Sequence, residues 1–252
     1  MSILSKIDGV FKDFLSEVEK IVDLKCAILS GSAVLGDFKE GNGDLDFMML
    51  TKKALTDTEC DKLFELHDKY RLQSVDNMFS RLEGCYYPFE MIERPIKSRA
   101  KGCYIGTSRK GWKRTDSFVN SLMDLKIIKL HGRFYKGEEL RPKIYEPSEV
   151  ELTKEIFQKI NEAIKQYPDL KNSIGWLVSV VHLCLRSQFF IETGKIASKT
   201  ASVTWFLEKT PGNKWKEALL FCRDARYPYP KASEEQIAAI SKAAFELLKL
   251  IK

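Results

Sequence analysis

The sequence predicts an α/β first half joined to an all-helical second half. Three observations carry that division. Between residues 26 and 91, short apolar runs alternate with glycine-bearing turns and a helical stretch, the pattern of one mixed sheet with helices. From residue 148 onward apolar residues recur at helical spacing only. The change falls beside Pro147, where Ser148 and Glu151 form a fresh capping box. A chain of 252 residues is long enough for two cores, so the expected domains are residues 1–146 and 147–252.

Taken in order, residues 2–23 place Ile3, Ile7, Val10, Phe11, Leu15, Val18 and Ile21 three and four steps apart, which predicts an amphipathic helix. A strand follows at 26–29, punctuated by Ser30-Gly31-Ser32, which should begin a helical turn. Beyond Gly36, Gly41 and Gly43 lies a second strand at 45–50. Thr56 with Glu59 opens a helix running to about residue 70. A third strand is expected at 82–91, bulged or near an edge because of Gly84 and Pro88. Residues 97–114 are basic and poor in aliphatic side chains, and read as a surface loop. A helix at 116–128 and a strand-like run at 129–135 complete the first half.

In the second half, Leu152, Ile156, Ile160 and Ile164 repeat at helical spacing until Pro168. Further helices are expected at 171–192, 199–209, 213–225 and 233–251, separated by Gly194, by Pro211-Gly212 and by the Tyr-Pro-Tyr-Pro run at 227–230. Trp205 and Trp215 fall at apolar helical positions and are expected in the core.

Composition removes several classes of protein. With 44% hydrophobic and 30% charged residues the chain is globular rather than disordered. No apolar run approaches the roughly 20 residues of a membrane span, and residues 1–20 mix charge into their apolar positions, so no signal peptide is expected. A cytoplasmic protein without a membrane partner is the expectation. Six cysteines without a C-x-x-C pair read as reduced thiols, and three histidines without H-E-x-x-H spacing read as core or surface residues. The net charge of +6 suits an anionic ligand such as a nucleoside triphosphate. It falls short of what a nucleic-acid-binding surface implies.

The chemistry concentrates in two neighbouring motifs. Asp44-Leu45-Asp46-Phe47 reads as strand, so Asp44 and Asp46 project to one side while Leu45 and Phe47 pack on the other. Two carboxylates in a small space repel unless a cation lies between them, and their oxygen atoms suit Mg²⁺. Upstream, Gly31-Ser32 follows a strand, where backbone N–H groups and a hydroxyl can meet phosphate oxygens. Glu83, opening the next strand, is the candidate base for deprotonating a hydroxyl.

The order G-S-x₁₁-D-x-D resembles the nucleotidyltransferase superfamily, which includes DNA polymerase beta-like enzymes and antibiotic-modifying adenylyltransferases. The run Thr193-Gly194-Lys195-Ile196-Ala197-Ser198-Lys199, followed by Trp205, Pro211 and Ala225-Arg226, is similar to the helical C-terminal domain of the aminoglycoside adenylyltransferases that act on streptomycin and spectinomycin. Arg81-Leu82-Glu83-Gly84-Cys85-Tyr86 resembles the strand bearing that group's third carboxylate.

The resemblance implies a polymerase beta-like catalytic domain, a helical bundle, and transfer of AMP from ATP to a hydroxyl of a small molecule such as an antibiotic. It implies two Mg²⁺ ions held by Asp44 and Asp46, Glu83 as general base, Gly31 and Ser32 on phosphate, and Arg186 and Lys199 on the triphosphate. The chain departs from the group where acidic residues would hold a cationic drug: Asn172 and Trp176 stand there instead. With Trp112, which offers a stacking face in a basic, glycine-flanked segment, these are the candidate acceptor contacts. A neutral or weakly charged acceptor follows, because unpaired ammonium groups are costly to desolvate. An acceptor on a protein or an RNA end is the alternative, and a non-catalytic nucleotide-binding protein is a third reading that the intact Asp44, Asp46 and Glu83 oppose.

Overall fold

The computed structural model describes residues 3–39, 43–73, 81–92, 101–107, 110–115, 121–226 and 228–251. It divides into two compact units, Met1–Pro147 and Ser148–Lys252.

The first unit is built on a six-stranded sheet: β1 (Leu24–Leu29), β2 (Leu45–Thr51), β3 (Leu82–Pro88), β4 (Gly102–Ile105), β5 (Lys113–Thr115) and β6 (Arg133–Lys136), in the order β5-β4-β3-β2-β1-β6. The β2–β3 pair is parallel, and the other neighbours are antiparallel. A parallel pair needs a crossover, and α3 (Asp57–Gln73) lies between those strands in sequence. Its start is the expected one: Thr56 and Glu59 exchange side-chain and backbone hydrogen bonds.

Alternation along the strands gives the sheet two buried faces. On one, Leu29, Phe47, Met49 and Tyr86 meet Phe11 and Phe14 of α1 (Ile3–Ile21) and Leu63 of α3. Truncating any of these buried phenylalanines to alanine costs about 3–5 kcal/mol. On the other face, Ile28, Met48, Cys85 and Tyr87 meet Leu125 and Ile128 of α4 (Leu122–His131). Two buried polar side chains from α3 enter the first layer. His67 has Nε2 2.9 Å from the Tyr86 hydroxyl, and burial followed by the nearby Arg71 holds its pKa well below the usual value. Arg71 donates to the carbonyls of Leu82, at 2.5 Å, and of Gly106.

Several expectations need correction. Within the loop expected at 97–114, residues 102–105 form strand β4 and residues 113–114 begin strand β5, which ends at Thr115. Their side chains are not aliphatic-rich, but Cys103 and Ile105 are buried and the backbone completes the ladder beyond β3. The third strand stops at Pro88, with a 3₁₀ turn at Phe89–Met91, and it runs inside the sheet rather than at its edge. Gly84 is explained by packing: a Cβ there would lie 2.1 Å from the Phe47 ring. The helix expected at 116–128 is Leu122–His131, capped by Ser121 and Asp124, while residues 116–120 lie outside the described set. The strand expected at 129–135 is confined to Arg133–Lys136.

The second unit contains α5 (Glu149–Leu170), α6 (Ile174–Thr193), α7 (Lys199–Lys209), α8 (Lys216–Asp224) and α9 (Glu234–Leu250). The Ser148/Glu151 capping box is present at α5, which continues through Pro168 in its last turn. α6 packs against each of the other four. By length and composition this helix is apolar enough to cross a membrane, which corrects the reading that no such run exists. Its Leu177, Val181, Cys184 and Leu185 are buried in the bundle. Gly194 ends it in the left-handed conformation, φ 67°. Trp205 and Trp215 are half-buried rather than core residues, Trp205 edge-on to Phe189 and Trp215 in contact with Lys214. All six cysteines are free and buried.

Candidate active site

Strands β2 and β3 bring the sequence motifs together. In their parallel register Asp46 stands opposite Glu83, so the two carboxylates are side by side on one sheet face. One residue before the register begins, Asp44 and Arg81 form an ion pair at 2.5 Å, closed by a 3.2 Å backbone hydrogen bond from Leu45 to the Arg81 carbonyl. The face therefore carries Asp44–Arg81 and Asp46–Glu83 as successive pairs.

Gly31 opens α2 (Gly31–Val34) directly over Asp46. Its φ is 63°, and a Cβ would lie 2.1 Å from Oδ2 of Asp46. Ser30, just before it, donates its backbone N–H to the Asp46 carbonyl at 2.9 Å, fastening the turn to β2. Glu83 accepts a hydrogen bond from the Tyr104 hydroxyl on β4. Burial raises the Glu83 pKa above the ordinary carboxylate range, with Asp44 adding to the rise against the lowering effect of Tyr104.

Ser30, Gly31, Asp46, Glu83 and Tyr104 line a cavity of about 170 Å³, closed on another side by Asp124 of α4. Asp124 reaches the cavity because it is the third residue of its helix, where it accepts from the Ser121 backbone and hydroxyl. The carboxylates of Asp46, Glu83 and Asp124 dominate the polar lining, beside the Cys85 thiol, and a buried carboxylate whose ionisation is disfavoured fits a hard divalent cation such as Mg²⁺. Arg81 already engages Asp44. Among the described residues no three acidic, histidine or cysteine side chains converge as ligands.

Trp112 does not line this cavity. It packs on the first core layer, donates Nε1–H to Asp61 at 2.7 Å and lies under the Arg114 guanidinium. In the second unit, Arg186 on α6 donates to the Ala197 carbonyl at 3.1 Å, and Lys199 is the first residue of α7. With Arg226 they surround buried His182, whose pKa falls to about 3 through burial and then these three cations. Arg226 also donates to the Thr200 hydroxyl at 3.1 Å. Asn172 is exposed in the turn before α6, and Trp176 donates to Gln166 at 3.3 Å beside the Tyr167 ring.

Sequence reasoning did not single out Tyr104, Asp124 or Arg81. The pattern Ser121-x-x-Asp124 was a readable helix-start signal. Tyr104 has no such signal, because the segment around it lacks the aliphatic pattern of a strand.

No protein-family model matches the sequence, and no curated protein matches it. Among solved structures, the chain is similar to spectinomycin adenyltransferase AAD(9) from Enterococcus faecialis with ATP and spectinomycin. The TM-score is 0.65 at 16% identity, over 94% of this chain and 99% of that one. A STING-associated CdnE c-di-GMP synthase from Capnocytophaga granulosa aligns at a TM-score of 0.28 and 12% identity, over 98% of this chain and 80% of that one. The fold of this chain is thus the one found in spectinomycin adenyltransferase AAD(9), a mixed sheet with helices followed by a helical C-terminal region.

Proposed function

We propose that this chain transfers AMP from ATP to a hydroxyl of a small acceptor less cationic than streptomycin, an antibiotic of the spectinomycin kind being the first candidate. The observation that carries the reading is the same-face pairing of Asp46 and Glu83 beneath Gly31. Asp44 and Asp46 would hold Mg²⁺, which when bound neutralises charge on the phosphates and the displaced pyrophosphate. Gly31 and Ser32 offer backbone N–H groups and a hydroxyl to phosphate oxygens. Glu83, with a raised pKa, takes the proton of the acceptor hydroxyl as its oxygen forms a bond to the α-phosphorus and pyrophosphate leaves. Arg186 and Lys199 supply positive charge for the triphosphate, in a cluster that Arg226 extends. Asn172 and Trp176 are assigned to the acceptor, whereas Trp112, held by Asp61 and Arg114 away from the cavity, is not. Neither Asn172 nor Trp176 brings negative charge, which favours spectinomycin over the more cationic streptomycin. A cytoplasmic role in antibiotic resistance follows from that acceptor class.

The test is pyrophosphate release from ATP and Mg²⁺ over a panel of hydroxylated antibiotics, with an RNA and a protein acceptor as controls. Release with spectinomycin, weak release with streptomycin and little salt dependence are expected. Release only with RNA, falling steeply with salt, would move the acceptor to nucleic acid.

A further inference from the structure

We propose that Tyr104 is a positioning residue for Glu83: its hydroxyl holds Oε1 and so turns the other carboxylate oxygen toward the cavity. This rests on the transfer reading above and names a residue that the motifs do not contain. Tyr104 stands opposite Cys85 across β3 and β4, diagonal to Glu83 and on the same face. Its hydroxyl donates to Glu83 Oε1, and both side chains line the cavity with Asp46.

The surroundings are built for that contact. At Gly106 a Cβ would lie 2.8 Å from the Tyr104 oxygen, so glycine leaves the room the hydroxyl occupies. Arg71 donates to the carbonyls of Leu82 and Gly106, the residue before the base and the second residue after the tyrosine. A guanidinium is costly to bury, and these bonds offset that cost while tying the two strands together where the pair sits. A carboxylate has two equivalent oxygens and a rotatable Cγ–Cδ bond. Fixing one oxygen leaves the other in a defined place to accept the acceptor's proton, while the acceptor oxygen bonds to phosphorus and the bond to pyrophosphate breaks.

Y104F keeps the ring and removes only the donor. With ATP, Mg²⁺ and spectinomycin, pyrophosphate release should show kcat about tenfold lower, the scale of one hydrogen bond to a charged group, and KM for ATP within about twofold of wild type. In an E83Q background, Y104F should cause no further loss, because its effect passes through Glu83. Losses that multiply, or a raised KM with unchanged kcat, would overturn the proposal. If the wild-type protein releases no pyrophosphate with spectinomycin, that acceptor assignment fails. The bond is then read by urea unfolding of the same four proteins. Non-additive midpoints support the Tyr104–Glu83 coupling, and additive ones refute it.

Discussion

A Cβ on Gly31 would lie 2.1 Å from Oδ2 of Asp46, closer than any two such atoms can approach. One of the two must move, and Gly31 also sits at φ 63°, which side chains resist by about 1–2 kcal/mol. Gly31→Ala should therefore displace the carboxylate as well as strain the turn. The expected result is at least a hundredfold loss of transfer with a stability cost of about 1–2 kcal/mol. Pyrophosphate release and urea unfolding of the same preparation check the two parts separately. Near wild-type turnover would show that the Asp46 position is not critical.

Asp44→Asn and Asp46→Asn should each reduce transfer below about a hundredth of wild type, since each removes a proposed Mg²⁺ ligand. Their stability effects should differ. Asp46→Asn removes a charge beside Glu83 and should leave the unfolding midpoint unchanged or slightly raised. Asp44→Asn removes the partner of Arg81, a partly exposed pair, at a cost of about 0–1 kcal/mol. Activity above a hundredth in both variants would end the metal assignment.

The sequence made these residues visible because Gly31, Asp46 and Glu83 are each marked locally, by a turn, an alternating strand and a strand start. Helices with strong periodicity and caps were equally readable: α5 begins at Ser148/Glu151 and α7 spans Lys199–Lys209 as expected. What was not readable depends on distant partners. β4 and β5 lack an aliphatic signature, and their strand form comes from pairing with β3 and with each other. Tyr104 therefore entered the site unannounced. Arg81 lies in the motif that bears Glu83, but its ion pair with Asp44 follows from the β2–β3 register, which local spacing does not reveal.

Glu83→Gln keeps the shape of the side chain and can still meet Tyr104, but it cannot accept a proton. Turnover should fall by about a hundredfold or more, the scale of a positioned base, while calorimetry shows ATP-Mg²⁺ affinity close to wild type. If affinity collapses and turnover per bound complex does not, Glu83 is a ligand rather than a base.

Arg186→Ala with Lys199→Ala removes two of the three cations around His182. ATP affinity, measured by calorimetry, should fall at least tenfold, with a weaker dependence on salt than in wild type because fewer charges contribute. Wild-type affinity in the double variant would remove the second unit's basic cluster from nucleotide binding.

His182 makes a separate prediction about pH. Burial and then Lys199, Arg226 and Arg186 hold its folded pKa at about 3, whereas an unfolded histidine titrates near its ordinary value of about 6.5. Between those values the unfolded chain binds a proton that the native chain refuses. Stability therefore rises with pH across this window: the contribution is complete above about 6.5 and is lost as pH falls toward about 3. Carboxylates add their own acid dependence, so the informative quantity is the difference between wild type and His182→Leu. That difference should shift by up to about 1.4 kcal/mol per pH unit between pH 6 and pH 4, with the wild type losing ground. Urea unfolding followed by tryptophan fluorescence in a Trp112→Phe background reads the second unit alone, through Trp176, Trp205 and Trp215. Parallel stability curves for the two proteins from pH 7 to pH 4 would mean that His182 titrates normally in the folded state, and that the three cations are not packed around an uncharged ring.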